Sequence, residues 1–405
     1  MSRRRREKKT KQKNQGQQVQ AEERFAFDRR RFLRILALGG AYAAAEATGI
    51  GPVSLYLQSS RTKDVQLPNQ WNYLRQLIPN EDLALFGGFL RLPQEQQKEA
   101  LSAIEQRVLD ETRIGLLYNH IIERSEAQFI TFEGLRELSA TQPIAAKILR
   151  QTEGDMQAVD GHGHFAGIYS ANLDRVIVFP AVPASDLARL LALRETRACT
   201  LAHEAIHKIQ HNEWPDARCW RFIMNSGENT VDDLFALNER TLRTYAIEVL
   251  QRPDATLEEI SNDFILRIGR MGSAYGEQMQ IFEVGARFVE PKEVRSDGAI
   301  NFGTDLFSQP YNITPQDLSR LVRIIMPIYG FYAQNDSDID VDLSVARCIG
   351  QYGASIDKLQ SHAQELIGAN WETYRQRGSK FIGSRWNQLA PAPAIAKEIL
   401  REYVR

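Results

Sequence analysis

The stretch Thr200-Leu-Ala-His-Glu-Ala-Ile-His-Lys-Ile-Gln-His211 places His203 and His207 four residues apart with Glu204 between them. No Pro or Gly interrupts residues 194–212, and Leu201, Ala202, Ala205 and Ile206 are compatible with a helix, so this spacing predicts one. At about 100° per residue the two imidazoles fall about 40° apart on one helical face, where both reach a single ion and Glu204 stands beside them. The order H-E-x-x-H suits a definite chemistry. Two neutral imidazoles leave a bound Zn²⁺ positive enough to polarise a carbonyl and to acidify a water, while the carboxylate takes the proton. The plain alternative is an exposed helix that carries this order by chance. Cys199, one turn before His203, reads as a small buried residue.

Upstream, Gly161-His162-Gly163-His164 leads into Phe165 to Ala171, a turn at Asn172-Leu173-Asp174, and Arg175-Val-Ile-Val-Phe179, which predicts a β-hairpin. His162 and His164 alternate and could line a cleft or take a second metal, although their Gly neighbours favour a loop. Pro183-Ala-Ser-Asp186 starts a helix by Ser or Asp capping, with Leu187, Leu190, Leu191 and Leu193 on its buried side. Earlier still, apolar residues at helical spacing mark Trp71 to Ile78, Ala84 to Leu92, Gln96 to Ile121 and Ile144 to Leu149, and His120 among them reads as structural. Downstream, Thr230-Val-Asp-Asp233 opens a second helix whose apolar stripe, Val231 to Val249, ends before Pro253. Leu257 to Met271, Pro315 to Met326 and Ile356 to Ile367 are further helical segments. The acidic run Asn335 to Asp342 lacks the Gly and terminal Glu of an EF-hand, so it reads as solvated acidity.

A Gly-rich entry, a strand pair and a helix bearing H-E-x-x-H resemble, over residues 160–250, the zinc metallopeptidases of the zincin type. The resemblance implies an α+β, predominantly helical chain, in which a zincin-like core of a small β-hairpin or sheet and the active-site helix is embedded in helical flanks. It also implies that an edge strand pairs with extended substrate and that a third protein ligand completes the zinc site. The metzincin continuation needs Gly at 210 and His at 213, where this chain has Gln210 and Glu213. His211 would lie about 12 Å along a straight helix from His203, too far to share the ion. The gluzincin arrangement instead takes a Glu from a second helix, which points to Glu239 after Asn238. The following residues depart from that family's pattern, Arg243 among them, and Glu248, Glu228 and Glu213 remain alternatives. Tyr245 on the same helix is a candidate donor to a transition-state oxyanion, or a core aromatic.

Composition bounds the rest. The chain has 405 residues, 43% hydrophobic and 25% charged, which is enough for a full core. Its net charge of −1 hides an uneven distribution: residues 1–47 hold 13 Lys/Arg against 5 Asp/Glu, so the remainder is acidic. An acidic body argues against nucleic acid as its partner. Three cysteines without C-x-x-C argue against a disulfide framework. Residues 1–27 read as a disordered basic leader. Arg29-Arg30-Arg31-Phe32-Leu33-Arg34 followed by the weakly apolar Ile35 to Ala45 resembles a twin-arginine export signal, and Ala45-Glu46-Ala47 has the form of a cleavage site. That resemblance implies a periplasmic or secreted protein that uses the twin-arginine machinery and meets the membrane transiently, or through an uncleaved signal. The expected divisions are 1–27 leader, 28–47 signal, 48–153 helical region, 154–254 metal-binding core and 255–405 helical region.

The expectation is therefore an exported zinc metallopeptidase with His203, His207 and Glu239 as ligands, Glu204 as general base and a peptide as substrate. A catalytically weak or inactive zincin fold used for binding or support in the envelope is the alternative. A di-iron helical protein would need a second E-x-x-H, which the sequence lacks.

Overall fold

The computed structural model describes residues 78–150, 167–225, 238–290, 293–294, 300–301 and 313–404. Over these the chain is α+β and predominantly helical, with a small three-stranded sheet. A 3₁₀ turn at Asn80–Asp82 precedes α1 (Leu83–Leu90), α2 (Gln94–Glu111), α3 (Arg113–Arg124), β1 (Gln128–Thr131), α4 (Phe132–Ser139) and a helical segment α5 (143–150). The hairpin β2 (Gly167–Ser170) and β3 (Arg175–Val178) leads into α6 (Pro183–Leu193), α7 (Arg197–Glu213) and α8 (Ala217–Asn225). Next come α9 (Glu239–Tyr245), a π-helical turn at Ala246–Leu250, and α10 (Leu257–Arg287). The short pair β4 (Glu293–Val294) and β5 (Ile300–Asn301) precedes α11 (Pro315–Asn335), α12 (Val341–Tyr352), α13 (Ile356–Ile367), α14 (Trp371–Gln388) and α15 (Ala392–Tyr403).

Local chemistry starts these helices. Thr196 accepts the Cys199 N–H at the head of α7, and Thr256 and Glu259 form a capping box at the head of α10. At α6 the cap acts from within the helix: the Asp186 carboxylate accepts the Val182 N–H at 3.1 Å, ahead of Pro183 in the first turn. The predicted hairpin is present, antiparallel from Gly167 opposite Val178 to Ser170 opposite Arg175. β1 adds to it in parallel, giving the order β1-β3-β2 and leaving β2 at an edge. Alternation divides the sheet between two neighbours. Ile177 packs with Phe132, Leu135, Ala145 and Ile148 of α4 and α5, whereas the Gly167 and Val176 side lies against α7 near Leu201.

Three elements differ from expectation. Thr112 adopts an extended conformation, which splits the predicted helix Gln96 to Ile121 into α2 and α3. The helix predicted to end at Met271 runs 31 residues, from Leu257 to Arg287. The helix predicted from Thr230 begins, within the described residues, at Glu239, with Asn238 as its cap. In the acidic run Asp336, Asp340 and Asp342 have partners. Asp336 accepts from Ser344, Asp340 from Ser337, and Asp342 pairs with Tyr329 and Arg385, while His120 lies 2.9 Å from Asp340.

The hydrophobic clusters cross the divisions expected from sequence. Residues of α1 and α2 pack with Leu187 to Leu191 of α6 and Ile395 to Leu400 of α15. Residues of α3 pack with Cys199 to Ile209 of α7, Ala286 and Val289 at the end of α10, and Leu343 and Ala346 of α12. Helices from both flanks thus meet on α7, which is buried around most of its circumference. Among the described residues no helix is long and apolar enough to cross a membrane.

Candidate metal centre

A helix enclosed on all sides should be apolar, yet α7 buries His203, Glu204, Lys208, Gln210 and His211. Burying polar groups is costly unless they are paired, so their surroundings are informative. Lys208 pairs with Asp174 in the β2–β3 turn, and Arg221 of α8 lies 3.2 Å from the same carboxylate. Tyr169 of β2 donates its hydroxyl to Asp174 at 2.7 Å. Burial raises the Asp174 carboxyl, but Lys208 and Tyr169 outweigh it and hold the group below the usual range. Tyr169 also donates its backbone N–H to Glu204 Oε2 at 2.7 Å. The hairpin is therefore tied to α7 through Glu204 and Lys208, one helical turn apart. His211 stands edge-on to both Tyr169 and Trp214, and burial with nearby Arg221 lowers its imidazole to about 3, so it stays neutral.

The adjoining face of α7 holds the donor set. His203 Nε2 and His207 Nε2 are 3.0 Å apart, and Glu283 Oε2 of α10 lies 3.2 Å from the second and 3.7 Å from the first. An ideal tetrahedral site with ligand distances of about 2.0–2.1 Å spaces its donors roughly 3.3 Å apart, so the three separations fit a single ion. Bare lone pairs would repel one another at such distances, so a proton on the imidazoles or a cation among the three donors accounts for them. The other ring nitrogens each face an oxygen. Glu290 Oε1 lies 2.9 Å from His203 Nδ1, an ion-pair contact outside hydrogen-bond geometry, and Gln210 Oε1 lies 3.0 Å from His207 Nδ1 in a hydrogen bond. Engagement of Nδ1 by a carboxylate or carbonyl fixes the tautomer that presents Nε2 to a metal. Gln210 is itself held by donation from Nε2 to the Phe282 carbonyl at 3.1 Å. The side chains of His203, Glu283 and Glu290 are 4–6% exposed and that of His207 is 14% exposed, so the set opens toward solvent on the His207 side.

The electrostatics of the group agree with its geometry. Burial disfavours the His203 cation, yet Glu290 and Glu283 outweigh burial and raise the imidazole to about 10. Burial raises Glu283 in turn, but Arg287 and His203 bring it well below the usual range. The site thus favours positive charge between its donors. Glu204 behaves differently: burial raises its carboxyl against the opposing influence of His203 and His207.

His203, Glu204 and His207 stand together as their spacing predicts, but Glu239 does not join them. It occupies the first turn of α9 behind the Asn238 cap, its side chain 69% exposed and 3.9 Å from Arg243. A helix beginning at 239, where a stripe starting at 231 was expected, turns that residue to solvent. Glu248 and Glu213 are also exposed, the latter 4.0 Å from Arg347. Glu228, His162 and His164 lie outside the described residues, as do the basic leader and the twin-arginine segment. Tyr245 is fully buried elsewhere, donating to Asp263 at 2.9 Å and packed edge-on against Phe264. Its hydroxyl is occupied within the core, away from the donor set. Cys199 faces Glu290 at 3.7 Å and is not part of that set.

The residue that sequence reasoning missed is Glu283. Its signal was a lone carboxylate inside the apolar run Ile281-Phe282-Glu283-Val284, with Arg287 one turn on. Among the described residues, His203, His207 and Glu283 are the group that could hold a metal ion, with donor atoms all within 4.8 Å of one another. In comparison with known proteins, no family model, curated protein or solved structure matches this chain.

Proposed function

We propose that the chain is a zinc-dependent peptide hydrolase of gluzincin-like build, in which His203, His207 and Glu283 hold the ion and Glu204 moves the proton. The observation that carries this reading is the convergence of two Nε2 atoms and one carboxylate oxygen beside a second, buried carboxylate. Two imidazoles and a carboxylate suit zinc, and when bound the ion would polarise the scissile carbonyl and acidify the attacking water. Glu204 supplies the base. With Oε2 fixed by the Tyr169 N–H, Oε1 accepts the proton of the water and returns it to the leaving amine. The upward shift of its carboxyl suits a group that must accept a proton near neutrality and then release it. Gln210 holds His207 in the ligating tautomer by a hydrogen bond, and the Glu290 carboxylate beside His203 Nδ1 favours the same tautomer there electrostatically.

A second reading has one observation in its favour. The Tyr169 N–H already occupies an oxygen of Glu204, so that carboxylate also has a structural task, as expected of a zincin-like fold used for binding or support with little turnover. Metal analysis combined with a peptide-cleavage assay separates the two. The hydrolase reading expects one zinc per chain, and Glu204→Gln should keep the metal while losing about 10²–10⁴-fold in rate. A wild type that carries zinc but cleaves nothing, or a Glu204→Gln variant with undiminished cleavage, refutes it.

The twin-arginine-like segment at 29–34 supports an exported, periplasmic or secreted location for the same protein. Replacing Arg29 and Arg30 together by Lys should retain the protein in the cytoplasm, and unchanged fractionation would remove this part of the proposal.

A further inference from the structure

Resting on the reading of His203, His207 and Glu283 as metal ligands, we infer that Arg287 is the positioning residue of the centre: one guanidinium braces the carboxylates that serve two different ligands. Its Nε donates to Glu283 Oε1 at 2.7 Å, leaving Oε2 of that carboxylate directed at the imidazole pair. Its Nη1 lies 3.8 Å from Glu290 Oε1, the oxygen that stands 2.9 Å from His203 Nδ1. Arg287 thus acts directly on the carboxylate ligand and indirectly, through Glu290, on an imidazole ligand.

The placement is rigid. Glu283 and Arg287 are one turn apart on α10, and the Glu290 N–H donates to the Arg287 carbonyl at 3.1 Å just beyond the helix end. Arg287 is 5% exposed, so its charge is shielded little by water and its side chain has little freedom. Arg189 is a second cation nearby, paired with Glu195 at 3.3 Å and also acting on Glu290, whereas Arg287 is the one that donates to Glu283 and stands beside Glu290 as well. Cys199 offers Glu290 only a weak S–H donor at 3.7 Å. Lysine could replace the charge and donate to a carboxylate, but its shorter, flexible ammonium lacks the planar guanidinium that here places Nε on Glu283 while keeping Nη1 at ion-pair distance from Glu290.

The test compares wild type, Arg287→Lys and Arg287→Met. Zinc affinity is measured by chelator competition, the visible absorption of the cobalt-substituted protein reports coordination, and melting of the metal-free protein reports the fold. Arg287→Lys is expected to bind zinc about 10–100-fold more weakly, the usual effect of losing a residue that orients a ligand, and to show an altered cobalt spectrum. A merely structural role would lower the melting temperature and leave the spectrum as it is. Wild-type affinity with a wild-type spectrum in Arg287→Lys, whatever its melting temperature, overturns the inference. If Arg287→Met does not fold, the lysine variant alone decides. A wild type that binds no metal refutes the ligand reading itself, a result distinct from a metal-binding wild type with an indifferent Arg287→Lys.

Discussion

Gly285 lies on α10 between Glu283, the proposed carboxylate ligand, and Arg287, which donates to it, and its replacement by alanine tests how closely two helices must approach to build the proposed centre. A Cβ at 285 would sit 2.5 Å from Ile349 Cδ1 and 2.9 Å from Gln210 Nε2, well inside the roughly 3.5–4.0 Å of relaxed carbon contacts. The Ile349 methyl ends a flexible side chain and can swing away. The Gln210 amide is held at both ends, by the Phe282 carbonyl at 3.1 Å and by His207 Nδ1 at 3.0 Å. Overpacking costs about 1–3 kcal/mol and loss of one amide hydrogen bond about 1 kcal/mol, against which alanine regains about 1 kcal/mol of helix propensity. The net expectation is destabilisation of about 1–3 kcal/mol, with zinc affinity about 10–100-fold lower as His207 loses its orienting partner. Gly269 on the same helix provides the control, because a Cβ there meets nothing within 4 Å. Gly269→Ala should stabilise by about 0.5–1 kcal/mol and leave affinity unchanged. Urea unfolding in the presence of a chelator, followed by zinc competition, measures both quantities. If the two variants shift stability in the same direction, or if Gly285→Ala binds zinc like wild type, the packing argument is wrong.

Two further outcomes follow from named contacts. Glu105 accepts the Arg197 N–H at the head of α7 at 3.0 Å, and burial raises its carboxyl from 4.5 to about 7. The folded state therefore holds that proton more tightly than the unfolded chain, and stability is lost as pH rises from about 4.5 through 7. Glu105→Gln, which can still accept the N–H, should match wild type at pH 4.5 and exceed it by about 2–3 kcal/mol at pH 8, a figure set somewhat below the full shift because the residue is only partly buried; a stability difference independent of pH contradicts this. Glu283→Gln should abolish stoichiometric zinc binding at micromolar zinc while Glu239→Gln leaves it intact, and calorimetric titration showing the reverse would return the third ligand to α9.

The legible part of this centre was the local part. H-E-x-x-H reports its own geometry, because a helix fixes the angle between positions four apart whatever surrounds it. The hairpin was legible for the same reason, since two short runs joined by an Asn-Leu-Asp turn, the second rich in Val and Ile, are local signals. Glu283 was not, because it meets His207 across 76 residues and its helix runs through Gly269, Gly272 and Gly276, which in isolation disfavour helix. Tertiary packing carries α10 through that stretch, with Ile281, Phe282 and Val284 buried beyond it. Glu239 misled because the apolar stripe from Val231 predicted a helix that placed it mid-span, whereas the Asn238 cap makes it a first-turn residue. β1 escaped notice because Gln128–Thr131 is four residues long and mostly exposed, with too little alternation to register as a strand. Thr112 breaks α2 from α3 without Pro; its hydroxyl bonds the Val108 carbonyl at 2.6 Å, a backbone alternative that threonine offers but does not announce, and Gly115 lets the first turn of α3 pass close against the Leu109 carbonyl.

The way α7 is enclosed bears on when the metal can be acquired. Its donors span residues 203 to 283, and the clusters around it and its neighbours draw on both Phe86 near one end of the described chain and Leu400 near the other. A nascent chain ending before α10 would possess both histidines but lack the carboxylate that completes the set, and one ending before α15 would leave the α2–α6 cluster open. On the proposed reading, high-affinity capture of an ion would belong to the end of folding rather than its beginning, so retained metal would certify a finished chain, and the ion available wherever folding is completed would be the one acquired.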